Sequence, residues 1–339
     1  MPQAAQRPVY LGELSPRDAR FDARRAETAK FVNLYQDTPY ERFGERMQYC
    51  SPRLDFAFRL EDNGVLAPKL QAAHFCRVRL CPMCHWRRSV MWQAKALKVI
   101  PKVVEAYPKS RFIFLTLTVR NCQLSDLRET LGWMHKSWVK LTKRKEFASV
   151  QGWLRSVEVT RGKDDTAHPH YHALLMVKPG YFGGNYIKQA DWTEAWQSCL
   201  GVDYTPVLDV RSVRPGKREK ADDDGVVMLA AICETLKYSV KPSDCLGQKP
   251  GQRMTNQEWL VELTSQLTKT RAIATGGILK DYLKELEAEP DDLVHADDSG
   301  LTDVDESSPR IGFGWRENLN RYVLTEEPIA IGARAKGRC

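Results

Sequence analysis

The stretch His168-Pro-His-Tyr-His-Ala-Leu-Leu-Met-Val177 decides the fold. From Tyr171 onward, its aromatic and branched apolar residues predict a buried strand that ends at a Pro-Gly turn. Successive side chains of a strand point to opposite faces, so His170 and His172 project from one face, about 6.6 Å apart along the strand. Imidazole is an unusual group for a core, and the pair therefore indicates a metal site. The alternative is a histidine-rich turn that enters a buried strand.

A second strand precedes the histidine strand. Residues 152–160 read Gly-Trp-Leu-Arg-Ser-Val-Glu-Val-Thr, and a polar turn follows them, which together predict a β-hairpin. Glu158 lies near the end of the outgoing strand, close to the start of the returning one. With His170 and His172 it would form a site with open positions that suits a hard divalent ion such as Mg²⁺ or Mn²⁺. The alternatives are a solvent-exposed edge glutamate at this position and His168 as the third ligand.

A group of cysteines precedes these strands. Cys81 and Cys84 have the spacing of a zinc knuckle, in which a tight turn brings two thiolates onto one tetrahedral Zn²⁺ ion. Cys76 supplies a third sulfur five residues earlier. The pattern predicts a structural zinc site, and the alternatives are buried free cysteines or a redox pair.

The fourth zinc ligand has several candidates: Cys50, His74 and His85. His85 directly follows a predicted ligand and would have to turn back to the same ion. We therefore predict a four-thiolate site that uses Cys50.

The composition is that of a globular protein. The chain has 339 residues, of which 42% are hydrophobic, and no apolar run approaches the roughly 20 residues of a membrane span. Residues 1–10 contain no apolar segment typical of a secretory signal. We therefore expect a cytoplasmic location and no membrane partner, and the nine cysteines then favour metal binding over disulfides.

The charge is distributed unevenly. Residues 1–150 carry 27 Lys and Arg against 14 Asp and Glu, whereas residues 285–306 carry ten acids and no Lys or Arg. A basic body of this kind is typical of proteins that bind nucleic acid. Four arginines flank the cysteine group and would contact DNA phosphates, unless they form an ordinary solvated face: Arg77, Arg79, Arg87 and Arg88.

Three further elements complete the prediction. Residues 111–119 form a nearly continuous apolar run, which predicts a central strand. A helix is expected over residues 86–99, before Pro101, and another over residues 226–241. On the second helix, Glu234 and Tyr238 are four residues apart and therefore share one face. The alternative for Tyr238 is half-buried packing beside surface Glu-Lys pairs.

The predicted domain order has five parts. Residues 1–45 form an N-terminal arm, and residues 46–108 form a zinc-binding module with a basic helix. Residues 109–285 form a catalytic domain. An acidic linker follows over residues 286–310, and residues 311–339 form a C-terminal tail.

Three motifs stand in a fixed order: Phe-Leu-Thr-Leu-Thr at 114–118, His-Pro-His-Tyr-His at 168–172 and Glu-x-x-x-Tyr at 234–238. Together with the cysteine segment 76–88, they resemble the replication initiator (Rep) proteins of small rolling-circle plasmids, within the His-hydrophobe-His (HUH) endonuclease superfamily. The resemblance covers residues 46–245. It implies an α+β fold with a central, mainly antiparallel sheet, helices packed on that sheet and a small N-terminal zinc-binding module.

The resemblance also implies an activity, the metal-dependent nicking of one DNA strand at the double-strand origin. His170 and His172 match the metal pair of the family, Tyr238 its nucleophile and Glu234 its termination glutamate. Attack by the tyrosine would leave a 5′-phosphotyrosine link and a 3′-OH primer, with strand joining and termination later.

The implied partners are plasmid origin DNA, single-stranded or cruciform at the nick site, and a host helicase and DNA polymerase. Lys237 and Lys241 would contact the DNA or lower the pKa of the tyrosine. Two other functions stay open at this point. One is an HUH transposase of an insertion sequence, and the other is a non-catalytic, zinc-dependent DNA-binding regulator.

Overall fold

The computed structural model describes residues 7–60, 66–213, 224–236, 240–287, 293–296 and 310–325. The chain divides into two compact units: residues 1–88 with 292–339, and residues 89–291. The helices of the described residues are α1 Leu11–Leu14, α2 Arg20–Leu34, α3 Glu41–Gln48, α4 Pro82–Ala106, α5 Leu127–Leu141, α6 Gln189–Leu200, α7 Asp224–Thr235, α8 Pro242–Leu246, α9 Asn256–Leu267 and α10 Gly277–Glu287. The strands are β1 Arg53–Leu60, β2 Leu66–Ala73, β3 Arg111–Thr118, β4 Val150–Arg161, β5 Ala167–Val177, β6 Leu208–Ser212, β7 Ile273–Gly276, β8 Arg310–Arg316 and β9 Arg321–Thr325.

The first unit contains a four-stranded sheet in the order β2-β1-β8-β9, in which all neighbours are antiparallel. Aromatic side chains from distant parts of the sequence form its core. The Phe21 ring packs edge-on against Trp86, with centroids 4.8 Å apart, and against Phe56, which in turn contacts Phe313 at 5.9 Å. Edge-to-face pairs of this kind stabilise beyond the area that they bury.

The C-terminal strands belong to this core. Tyr322 is fully buried, its backbone N–H donates to Asp22 Oδ1 at 2.7 Å, and its hydroxyl bonds to Ser51 Oγ at 2.9 Å. The contacts thus group the chain differently from the five predicted domains, because β8 and β9 complete the sheet of the N-terminal unit. The sequence of the predicted C-terminal tail gave no sign of this pairing, because strands that are hundreds of residues apart leave no local signal.

The second unit contains a five-stranded sheet in the order β6-β3-β5-β4-β7, again with antiparallel neighbours throughout. The hairpin of β4 and β5 forms as predicted, and β5 begins at Ala167, four residues before the predicted start. One face of the sheet is covered by an apolar cluster from α4, α7 and α10, which includes Val103, Leu174, Ile232 and Leu279. Helices α5 and α6 cover the opposite face, where Trp138 and Trp196 pack around Tyr171.

Two helices differ from their predicted bounds. Helix α4 continues through Pro101 to Ala106. A proline inside a helix costs about 3 kcal/mol, but Val99, Ile100 and Val103 are buried in the core, and burial of each contributes about 1.5–3 kcal/mol. Helix α7 ends at Thr235, six residues before the predicted end.

The predicted α+β class, with antiparallel sheets and helices packed on them, is confirmed. Among the residues that the structure describes, no helix is long and apolar enough to cross a membrane.

Candidate functional site

The hairpin of β4 and β5 brings three ligand-type side chains together at one end of the second sheet. Glu158 is directly opposite His170 in the strand register, and His172 follows on the same face. The Nε2 atoms of His170 and His172 lie 3.0 and 2.8 Å from the same oxygen, Glu158 Oε2. The three side chains are almost buried, with exposed fractions of 2% for Glu158, 12% for His170 and 6% for His172. They are called the Glu/His cluster below.

Neighbouring groups orient both imidazoles. Nδ1 of His170 is 3.3 Å from the carbonyl oxygen of His168, which can accept a hydrogen bond from it. Nδ1 of His172 lies 3.4 Å from Thr116 Oγ1, and its ring stacks on Phe114 at 5.6 Å. Nε2 of both rings faces the Glu158 carboxylate. With the protons on Nδ1, the two Nε2 lone pairs and the carboxylate would be available together to one cation, as in known metal sites.

His168 lies beside this cluster. Its ring centroid is 5.3 Å from that of His170, and its Nδ1 atom is 2.7 Å from Asn121 Oδ1. The Asn121 amide nitrogen donates to Thr166 Oγ1 at 2.8 Å, which fixes the amide orientation. The ligand atoms that lie within 4.8 Å of one another belong to Glu158, His170 and His172, so Glu158, and not His168, converges with the histidine pair.

Helix α7 packs on the face of the second sheet that carries the Glu/His cluster. Ile232 and Leu236 are buried in the apolar cluster with Leu174, which projects from the same face of β5 as His172. Glu234 lies on α7 with an exposed side chain. Five residues beyond Leu236, the Lys241 ammonium lies 3.5 Å from Glu158 Oε1. The predicted residues Lys237 and Tyr238 lie outside the described residues.

The turn of the hairpin is fastened by an ion pair that the sequence reading missed. The Arg161 guanidinium donates to Asp165 Oδ1 at 2.7 and 2.9 Å, and Asp165 Oδ2 accepts the backbone N–H of Met254 at 2.8 Å. Burial would raise the pKa of the Asp165 carboxyl, but the N–H groups of Met254 and Arg253 and the charge of Arg161 together lower it. The available signal was an opposite-charge pair four residues apart in a turn, which is common on exposed surfaces.

The first unit contains a second candidate metal site, formed by four buried side chains and called the cysteine cluster below: Cys50, Cys76, Cys81 and Cys84. Adjacent Sγ atoms are 3.6–3.7 Å apart. Four sulfurs at about 2.3 Å from one Zn²⁺ ion form a tetrahedron with edges of about 3.8 Å, so these sulfurs fit such an ion. Cys50 occupies the predicted fourth position, and His74 and His85 are not among the converging ligand atoms.

The four arginines beside the cysteine cluster differ in environment. Arg77 is exposed, and Arg88 is half-buried and donates to the Arg77 carbonyl at 2.8 Å. Arg79 is also half-buried, and burial, with the charge of Arg88, lowers its pKa to about 10. Arg87 has an exposed fraction of only 1%.

The Arg87 guanidinium is buried and forms its contacts within the protein. It donates to the carbonyl oxygens of Leu293 and Val294 at 2.8 Å each and lies over the Phe21 ring. The structure therefore corrects the prediction that Arg87 contacts DNA, because its charge is satisfied within the first unit.

Comparisons with known proteins identify the family. Residues 67–323 match the family model described as "Replication protein". The "Protein rep" of Streptococcus pneumoniae is 35% identical over 319 residues, which cover 91% of this chain and 92% of the relative. The "Protein rep" of Bacillus amyloliquefaciens is 37% identical, with 84% and 86% covered. The "Replication protein" of Staphylococcus aureus is 32% identical, with 67% and 96% covered. No solved structure matches this chain significantly.

The chain belongs to the replication protein family, and the predicted resemblance to plasmid replication initiators is confirmed. The structure adds two places where protein ligands converge as metal ligands do, one of four cysteines and one of a glutamate with two histidines.

Proposed function

We propose that this protein starts rolling-circle replication of a plasmid by nicking one strand of the double-strand origin. The observation that carries the proposal is the convergence of Glu158, His170 and His172 on the face of the sheet on which α7 packs. This family acts in replication, and an oxygen and two imidazole nitrogens with an open side suit a divalent ion that also contacts substrate. The ion would be Mg²⁺ or Mn²⁺, and it would neutralise and orient the scissile phosphate.

Tyr238 is the proposed nucleophile. Lys241 contacts Glu158 and follows Tyr238 by three residues, and three residues of chain span at most about 11 Å between Cα atoms. In the proposal, this tyrosine attacks the phosphate beside the Glu/His cluster. Attack of its phenolic oxygen on phosphorus forms a 5′-phosphotyrosine and releases a 3′-OH. Because the link conserves the energy of the phosphodiester, the same site can rejoin the strand as a transferase.

Three charged side chains assist this reaction in the proposal. Lys241, half exposed beside Glu158, would hold a phosphate oxygen or favour the phenolate of Tyr238, and Lys237 would contact the strand nearby. Glu234 would act as a general base that activates water at termination. The substitution Glu234→Ala should then leave nicking largely intact and impair termination. Equal loss of both activities would contradict this division.

The cysteine cluster is proposed to hold structural Zn²⁺. Four thiolates with tetrahedral spacing form a closed site, in which no position is left for water or substrate. The neighbouring arginines Arg77, Arg79 and Arg88 would contact phosphates of the origin DNA, single-stranded or cruciform at the nick site. A host helicase would unwind the duplex and a DNA polymerase would extend the 3′-OH end.

A plasmid assay tests the proposal. Supercoiled plasmid with its origin is incubated with the protein and Mn²⁺, and the products are separated in detergent before and after protease treatment. Nicked circles with covalently attached protein are expected from the wild type and from Tyr186→Phe, a control at an exposed tyrosine of the same unit. Tyr238→Phe should give neither product. A covalent adduct with Tyr238→Phe would contradict the assignment, and a mobility shift without nicking would identify a regulator instead.

A further inference from the structure

Arg120, two residues after the end of β3, contacts one tyrosine in two ways. Its guanidinium carbon lies 3.9 Å from the centroid of the Tyr204 ring, and its backbone N–H donates to the Tyr204 hydroxyl at 3.1 Å. The side chain is nevertheless exposed. A guanidinium stacked on an aromatic ring keeps its in-plane N–H groups available for an anion. The ring thus fixes the cation in advance, which lowers the entropic cost of binding.

This arginine lies near the Glu/His cluster. Thr118, two residues before it, is directly opposite His170 in the register of β3 and β5. Asn121, the next residue, contacts the His168 ring through its side-chain oxygen. The backbone is fixed here as well, because both the N–H and the hydroxyl of Thr118 donate to the Val207 carbonyl. The backbone that carries Arg120 is therefore anchored at the end of β3, two residues beyond the residue opposite His170.

The charge of Arg120 is not neutralised within the described part of the chain. Other arginines of the same unit have carboxylate partners: Arg144 pairs with Glu146 at 3.0 Å, and Arg161 pairs with Asp165 at 2.7 Å. Among the described residues, no carboxylate pairs with Arg120. Its stacking on Tyr204 stabilises the cation without satisfying its N–H donors, which is the state expected of a group that binds an external anion.

We propose that Arg120, positioned by Tyr204, binds a backbone phosphate of single-stranded DNA that flanks the scissile phosphate. The identity of the scissile phosphate rests on the function proposed above, but the binding of the strand does not require nicking. Because a guanidinium can donate two parallel hydrogen bonds to one phosphate, this contact would fix the register of the strand relative to the Glu/His cluster.

A binding titration without added Mg²⁺ or Mn²⁺ tests this contact independently of catalysis. The probe is a fluorescent oligothymidylate of about 16 nucleotides, and its anisotropy is measured with full-length protein over a series of salt concentrations. Each phosphate contact on a single strand contributes about 0.7 to the slope of log K against log salt. Arg120→Gln should reduce the slope by about 0.7 and weaken binding at low salt by roughly fivefold to tenfold.

Three further variants make the test specific. Lys136→Gln removes one charge from an exposed position on α5, on the opposite side of the sheet, and should leave the slope unchanged. Arg120→Lys should keep the slope but bind more weakly, because an ammonium cannot reproduce the stacked, bidentate geometry. Tyr204→Leu should weaken binding in the wild type and have much less effect in the Arg120→Gln background. Equal slopes and affinities for Arg120→Gln and Lys136→Gln would overturn the proposal, whether or not the protein nicks DNA.

Discussion

The cysteine cluster and the Glu/His cluster differ in what holds them together. The cysteines come from three separate segments, the residues just after α3, the loop before α4 and its first turn. Glu158, His170 and His172 instead stand on paired strands whose backbone hydrogen bonds set their spacing. In the proposed function, the ion of the first site would hold these segments together, whereas the sheet alone sets the spacing of the second.

In the proposed function, this difference corresponds to a structural role for the first site and a chemical role for the second. A closed set of four thiolates contributes the binding free energy of its ion to folding. Three preorganised ligands leave coordination positions of the ion open, and a substrate can bind the ion there. Variants of the two sites should consequently fail in different ways.

The largest effect is expected at the cysteine cluster. Cys84→Ser should abolish zinc binding and unfold the first unit, because structural zinc contributes on the order of 10 kcal/mol in small domains. Bound zinc is measured by elemental analysis and folding by limited proteolysis. Cys199→Ser, at a buried cysteine of the second unit, is the control that should retain zinc. Full zinc content in Cys84→Ser would show that this sulfur is not a ligand.

The next effect is a loss of activity without unfolding. His172→Ala should reduce nicking by about 100-fold or more, since it removes a direct ligand and even outer partners cost 10–100-fold. Zinc content and the thermal unfolding of the first unit should not change. The control His135→Ala replaces an exposed histidine on α5 and should nick normally. Loss of zinc in His172→Ala would break the separation of the two sites.

A moderate effect on stability is expected at the hairpin turn. Asp165→Asn keeps a residue type that tolerates the positive φ of 61° but removes the charge, and should lower the free energy of unfolding by about 1–3 kcal/mol at neutral pH. The lowered pKa of Asp165 means that its contribution is present above the unfolded pKa of about 4 and is lost as the pH falls through the folded value. Denaturant unfolding should therefore show the gap to the wild type closing in acid. Asp281→Asn, an exposed site on α10, should show no such gap at any pH.

The smallest effect is expected at Thr116, whose hydroxyl lies near His172. Thr116→Val preserves shape but removes the hydroxyl near His172 Nδ1, and should weaken Mn²⁺ binding by about tenfold or less, because the contact is long at 3.4 Å. Calorimetric titration without DNA measures this change. Unaltered affinity would mean that the sheet and the Phe114 ring alone orient the imidazole.

Local periodicity was sufficient for the part of the site that lies on one hairpin. Because side chains alternate on a strand, the spacing of His170 and His172 already placed them on one face. The predicted hairpin placed Glu158 near the start of the returning strand, and the strand register puts it opposite His170. The spacing of the cysteines likewise predicted their convergence. In both cases the residues that meet are close in sequence, or are cysteines and histidines, whose side chains are typical metal ligands.

Sequence reasoning failed where distant packing decided the outcome. Arg87 and Arg88 look equivalent in the sequence, but successive helical residues point about 100° apart, and only the contact with Leu293, 206 residues later, distinguishes them. The end of α4 was misplaced for the same reason, since the burial that offsets Pro101 involves strands elsewhere. The division into two units depends on β1 pairing with β8, which no local pattern reports.

The pairing of β1 with β8 has a consequence for synthesis of the protein. On the ribosome, all four cysteines and the first two strands of their sheet emerge early, but the strand that covers the free edge of β1 follows only after the whole second unit has been made. At typical elongation rates this delay lasts tens of seconds. During that time the nascent chain exposes an unpaired strand edge of the kind that recruits chaperones or aggregates. The half of the molecule that begins first is thus the half that is completed last.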